Sequence, residues 1–127
     1  MKLYDSLPNL FRLAKKVSKQ SNYRIKMGAV LVRHSTPIAT GYNQVKTNPT
    51  FGGEYQLTIH AEASCIMEVR YINLKGTEMF IYRENKKSKL PALARPCNAC
   101  LVLLENCGIK RIWYTTNSYP YFNVERL

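Results

Sequence analysis

The stretch Thr58 to Cys65, TIHAEASC, holds one of the two histidines in the chain, with Glu62 two positions after His60 and an apolar-periodic run behind it. That pattern predicts a helix from about His60 to Ile72, ending near Asn73-Leu74-Lys75-Gly76, where Gly76 can supply a left-handed turn. A His-x-Glu pair alone is too common to carry meaning. A second stretch, Ala94 to Cys100, ARPCNAC, gives it one. There Pro96 opens a helix from about Cys97 to Cys107, and Gly108 closes it.

Between and around these two helices the chain alternates. Met27 to Val32 (MGAVLV) reads as a strand, with Thr36 to Asn43 (TPIATGYN) as its partner across a short turn. Gln44 to Tyr55 is polar, fits neither period and reads as a loop. TEMFIYR is a third strand, ENKKSKLPALAR a loop, and IKRIWYTT a fourth strand. At the N-terminus, Leu7, Leu10, Phe11, Ala14 and Val17 recur at helical spacing as a core-facing stripe, and Ser6 and Pro8 mark the start. The order α-β-β-α-β-α-β predicts a central sheet with helices on both faces. The segment after Thr116 is too short for another helix and crossover strand. A fifth strand therefore has to turn near Asn117 to Pro120 and run antiparallel to the fourth.

The totals fit one domain spanning residues 1–127. Apolar residues make up 46% of the chain and charged residues 21%, as in a globular protein with a real core. No apolar run approaches the ~18 residues of a membrane span, and no signal segment is legible, so the expectation is a cytoplasmic protein with no membrane partner. In that compartment Cys65, Cys97, Cys100 and Cys107 stay reduced, and Cys-x-x-Cys reads as metal-binding or redox. Nineteen lysines and arginines against eight acids give a net charge of +11. Such a field attracts polyanions or phosphorylated substrates without choosing between them.

His60, Cys97 and Cys100 form a donor set. Each group begins a helix, and two such helices packed side by side bring their N-termini to one point. Helix N-termini favour negative charge and so favour thiolates. Two thiolates and an imidazole suit tetrahedral Zn²⁺, and three protein ligands leave the open position of a catalytic rather than a structural site. Zinc lowers the pKa of a coordinated water to about 7. Glu62, close by and not needed as a ligand, is then a proton carrier. Two other readings of Cys97-x-x-Cys100 compete. A four-cysteine structural site completed by Cys65 and Cys107 meets the wrong spacing, and a thioredoxin-type redox pair leaves His60 and Glu62 without a task. Cys65 and Cys107 read as small buried residues, and His34 as a solvated turn residue.

HAE followed by PCNAC resembles the cytidine and deoxycytidylate deaminase superfamily of zinc enzymes. MGAVLVR…TGYN is similar to the first hairpin of that family, and GIKRIWYTT to the strand after its second zinc helix. The likeness covers most of Arg24 to Thr116. It implies a three-layer α/β/α sandwich around a mixed sheet of about five strands, with the last strand antiparallel. It also implies zinc on His60, Cys97 and Cys100, and proton transfer by Glu62. By the same resemblance, the Ala61 backbone meets the pyrimidine carbonyl and Asn43 contacts the sugar. Arg95 departs from the small or acidic residue often found before Pro-Cys. Relatives commonly self-associate, which makes a homo-oligomer the expectation.

The leading substrate is a free cytosine nucleoside or nucleotide, dCMP or cytidine-like, with Arg24, Lys26 and Arg95 as candidate phosphate contacts beside Lys86, Lys87 and Lys89. The alternative is a base in single-stranded DNA or RNA, favoured by the charge and by Tyr119, Tyr121 and Phe122 as stacking groups. A non-catalytic zinc domain used for binding is a third reading, and Glu62 argues against it.

Overall fold

The computed structural model describes residues 7–47, 56–69 and 73–127. The first helix, α1 (Leu10–Ser18), is followed by β1 (Met27–Arg33), β2 (Thr36–Tyr42), a short pair β3 (Gln44–Thr47) and β4 (Gln56–Ile59), and α2 (Ala61–Glu68). Then come β5 (Glu78–Arg83), α3 (Asn98–Asn106), β6 (Arg111–Thr115) and β7 (Phe122–Arg126).

Five strands form the main sheet in the order β2-β1-β5-β6-β7. β5 and β6 are parallel, as the intervening α3 crossover requires, and the other three pairings are antiparallel. The mixed sheet and its antiparallel last strand, returning through residues 116–121, are as the sequence predicts. Alternation along the strands sorts side chains to two faces. Ala29, Leu31, Met79, Ile81, Ile112 and Tyr114 meet Cys65 of α2 and Leu104 of α3 in one core cluster. Val30, Val32, Phe80 and Tyr82 pack against Phe11 and Ala14 of α1 in the other. The stripe of α1 is therefore core, and the three layers follow.

Two glycines let the helices approach the sheet. A Cβ on Gly28 would lie 2.1 Å from the carbonyl oxygen of Ala14 in α1, and one on Gly41 would lie 2.4 Å from the amide nitrogen of Cys65 in α2. No other residue type allows that proximity without movement.

Two expectations are corrected. Gln44 to Thr47, predicted as part of a loop, is β3, paired antiparallel with Gln56–Ile59 in a separate two-stranded ribbon. A ribbon outside the main sheet does not have to place one face on a core, so no strong apolar alternation marks it. α2 ends at Glu68 rather than near Ile72, with the Val69 amide turned back to the carbonyl of Ile66 at 3.2 Å. Residues 70–72, the end of the predicted helix, lie outside the described residues, as do Ser6 and residues 48–55. Among the described residues no helix is long and apolar enough to cross a membrane.

Candidate metal centre and adjoining cleft

His60 and Cys97 occupy equivalent places: each is the extended residue that caps its helix, at φ −71°, ψ 154° and φ −68°, ψ 166°. Their carbonyls accept the first helical bonds, from the Ser64 and Leu101 amides at 2.9 Å each. An extended backbone at the cap swings the side chain in front of the helix rather than along its flank. Cys100, one turn into α3, reaches the same space. α2 and α3 touch, and the three donor atoms lie within 4.8 Å of one another.

This geometry tests the fit to zinc. His60 Nδ1 is 3.2 Å from Cys100 Sγ and 3.8 Å from Cys97 Sγ. Ligands at ordinary Zn–N and Zn–S lengths on a tetrahedron stand about 3.6 Å apart. The observed pair brackets that value, and the His/Cys/Cys set is the chemistry zinc prefers, so the residues fit the ion.

Glu62 is buried, 3% exposed, and faces the same point. Burial pushes its carboxyl up from the ordinary value, opposed by a hydrogen bond with the Cys100 thiol and by the charge of His60. Desolvation likewise pushes the Cys100 thiol up, with the Glu62 charge adding to it; a bound cation reverses that logic and favours the thiolate. Cys65 is fully buried and its thiol is pushed up to about 12, mainly by burial. It is an inert core residue. Cys107 is half-buried against the same core, and His34 sits exposed in the β1–β2 turn at φ 49°.

A cleft of about 270 Å³ opens beside Glu62 and is shared by His60 and Cys97 on one side and Asn43, Met27, Ile25 and Tyr23 on the other. This size sits near the lower end of the roughly 300–1,000 Å³ usual for small-molecule sites. Asn43 is buried, and its amide pins the strand that borders the cleft: Oδ1 accepts from the Met27 amide at 2.8 Å, and Nδ2 donates to the carbonyl of Ile25. Arg95 lines the cleft as a fixed cation. Its Nε and Nη2 donate to the Glu125 carboxylate of β7 at 2.7 and 3.2 Å, and the Tyr114 hydroxyl donates to the same carboxylate at 2.6 Å. The Arg95 guanidinium first, and Tyr114 next, hold the Glu125 carboxyl below its ordinary value.

Of the residues singled out in the sequence, the structure gathers His60, Glu62, Cys97 and Cys100 at one point, with Asn43 and Arg95 on the cleft wall. Ala61 is buried at the start of α2. Arg24 and Lys26 line neighbouring depressions instead of the cleft. Sequence reasoning passed over Arg83, which does line it. Arg83 is the last residue of β5, and the carboxyl end of a strand in an open α/β sheet is where ligands bind; that signal was present.

An α/β/α sandwich with a His/Cys/Cys cluster and a buried glutamate at the tips of two helices defines a zinc-hydrolase class of site. The sequence matches the family model for the cytidine and deoxycytidylate deaminase zinc-binding region over residues 5–116, and the chain belongs to that family. Among solved structures, dCMP deaminase from the cyanophage S-TIM5, in complex with dCMP and dUMP, matches with a TM-score of 0.62 at 21% identity, over 84% of this chain and 78% of that one. Cytidine deaminase from Burkholderia pseudomallei matches with a TM-score of 0.65 at 18% identity, over 94% and 93%. These likenesses speak for the fold. No curated protein matches the sequence.

Proposed function

We propose that residues 1–127 act as a single deaminase domain converting a cytosine nucleoside or nucleotide, dCMP or a cytidine-like compound, to its uracil form with release of ammonia. The observation that carries this reading is the buried Glu62 lining a cleft with His60 and Cys97, two of the three clustered zinc donors. Such a carboxyl has one task that a structural zinc site does not need, which is to move protons.

The reaction adds the oxygen of water to the amino-bearing ring carbon and expels ammonia. His60, Cys97 and Cys100 would hold zinc, which when bound would supply the Lewis acid that makes a water nucleophilic at neutral pH. Glu62 takes a proton from the attacking water and passes it to the ring nitrogen beside the reacting carbon, then takes the proton of the newly added hydroxyl and delivers it to the departing amino group as the carbonyl forms. Ile25 and Met27 offer an apolar wall for a flat ring, and Asn43 on the same wall is the residue that family likeness assigns to the sugar. By family likeness, the Ala61 backbone is the group expected to meet the pyrimidine carbonyl. The S-TIM5 enzyme, solved with dCMP and dUMP, supports a monophosphate as the first substrate to try.

The test is amino-to-oxo conversion, read by mass spectrometry, of cytidine, deoxycytidine, CMP and dCMP by zinc-loaded protein. Glu62→Ala is the control, expected to retain zinc and lose turnover. Turnover surviving in that variant overturns the proton route, and no conversion of any cytosine compound overturns the reading.

A further inference from the structure

The cleft does not end at Arg83. A depression of about 320 Å³ shares Ile25 and Arg83 with it. A second depression, of about 400 Å³, shares Arg24, Glu84 and Lys86 with the first. Together they form a trench leading away from the cleft.

Its chemistry is one-sided. The outer depression is lined by five cations, Lys19, Arg24, Lys26, Lys86 and Lys89, against the single acid Glu84. Glu84 is already engaged, pairing with Lys15 at 3.6 Å and accepting from the Tyr82 hydroxyl at 3.1 Å. None of the five cations is in an ion pair among the described residues. The wall carrying Lys86 and Lys89 is a built element. The segment leaves the sheet at Arg83 and returns at Ala92, whose amide bonds the Arg83 carbonyl at 2.9 Å. Within it the Asn85 amide donates to Leu90 at 2.7 Å, and the Asn85 side chain accepts from the Lys87 and Ser88 amides at 2.9 and 3.1 Å.

At the junction, the Arg83 guanidinium gives one bond, from Nη1 to the Leu93 carbonyl at 3.2 Å, while its Nε is buried without a partner. A buried donor of that kind is rare and calls for an acceptor supplied by a ligand or a water.

We infer that this trench is a phosphate-binding extension of the cleft that takes a chain of phosphates, with Arg83 meeting the first of them and Arg24, Lys86 and Lys89 the next. It rests on the deaminase reading in placing the base in the cleft. A single phosphate carries about 1.5–2 negative charges and leaves most of the trench unmatched. A nucleoside triphosphate and the backbone of a single strand both supply the longer chain.

The test is calorimetric binding to zinc-loaded Glu62→Gln protein at low and moderate salt. The probes are deoxycytidine, dCMP, dCTP and a nine-nucleotide DNA strand with one central cytosine. The expected result is affinity at least about tenfold tighter for dCTP or the strand than for dCMP, with a log–log salt slope steeper by roughly 0.7 for each added phosphate contact. A gain confined to dCTP identifies the triphosphate as the source, and a gain for the strand identifies nucleic acid. Lys86→Ala/Lys89→Ala changes two exposed residues, so its fold is safe; it is expected to abolish the gain and leave deoxycytidine binding unchanged. Arg83→Gln is expected to remove the preference for dCMP over deoxycytidine. Equal affinity for dCMP, dCTP and the strand, or a gain that survives the double variant, overturns the inference. Deoxycytidine turnover by the wild-type protein from the same preparation reports on the deaminase reading separately.

Discussion

Replacing Gly41 by alanine gives a perturbation whose size follows from the coordinates. The new Cβ would stand 2.4 Å from the Cys65 nitrogen and 2.6 Å from the Ala61 oxygen, where ordinary contact begins at 3.4 Å. Both neighbours are helix backbone, which cannot rotate away, so α2 has to move by about 1 Å. Overpacking of this kind costs about 1–3 kcal/mol, and a rigid neighbour places it at the upper end. An unfolding entropy of about 2.1 cal/mol/K per residue over 127 residues makes 1 kcal/mol worth roughly 4 °C. A Tm fall of roughly 8–12 °C is expected. α2 also carries His60, and metal–ligand distances tolerate only about 0.2 Å, so zinc affinity is expected to fall about 10–100-fold, as when the supports of a ligand are lost. Gly28→Ala is the matched control. Its Cβ would meet the Ala14 oxygen at 2.1 Å, a clash of the same kind on the opposite face, so stability falls while zinc affinity holds. Calorimetric melts and competitive zinc titration with a chromophoric chelator read both quantities. Gly41→Ala protein with an unchanged Tm and wild-type zinc affinity would refute the close-packing argument.

Chelation of zinc is expected to abolish deamination while circular dichroism retains the folded signal, because neither core cluster includes any of the three donors. The melt should then recover with added zinc by mass action, about 2.7 kcal/mol at a hundredfold excess over Kd. In the chelated protein, exposed Cys97 should react with iodoacetamide before buried Cys65 does, and zinc should protect Cys97. Peptide mapping that finds Cys65 modified first would contradict the burial assigned to it. Glu125 titrates below its ordinary value in the fold because of Arg95 and then Tyr114. Its contribution is therefore present above the unfolded carboxylate pKa and lost as pH falls through the lowered folded one. Glu125→Gln should lose less stability than wild type as pH falls through and below the ordinary carboxylate range, and an identical acid limb would show that the pair contributes nothing.

Some of this protein is legible in single residues. Strands β1, β5 and β6 are buried on both faces, so Val, Ile, Leu and aromatic residues crowd them, and their apolar runs locate them without any partner in view. His60 with Glu62, and Cys97 with Cys100, are legible because zinc chemistry restricts both the donor types and their place at a helix start. The ribbon of β3 and β4 is not legible, since its letters resemble a loop. The end of α2 is also missed, because Val69 to Ile72 keep an apolar pattern beyond the point where the chain turns.

Sequence by itself determined the donor set, the two helices that begin with it, the family, and the antiparallel return of the last strand. Each of these depends on local residue types and spacing. Only the tertiary structure decided which cations belong to the cleft. Arg24 and Lys26 look from the sequence like cleft residues, yet they lie in the trench. Arg83, separated from His60 by 23 positions, lines the cleft. Arg95 is held there by Glu125, thirty residues further along the chain. The reason is physical. Neighbours within a helix or strand are set by its repeat, but side chains that meet across a sheet are set by strand order and register, which no local pattern encodes.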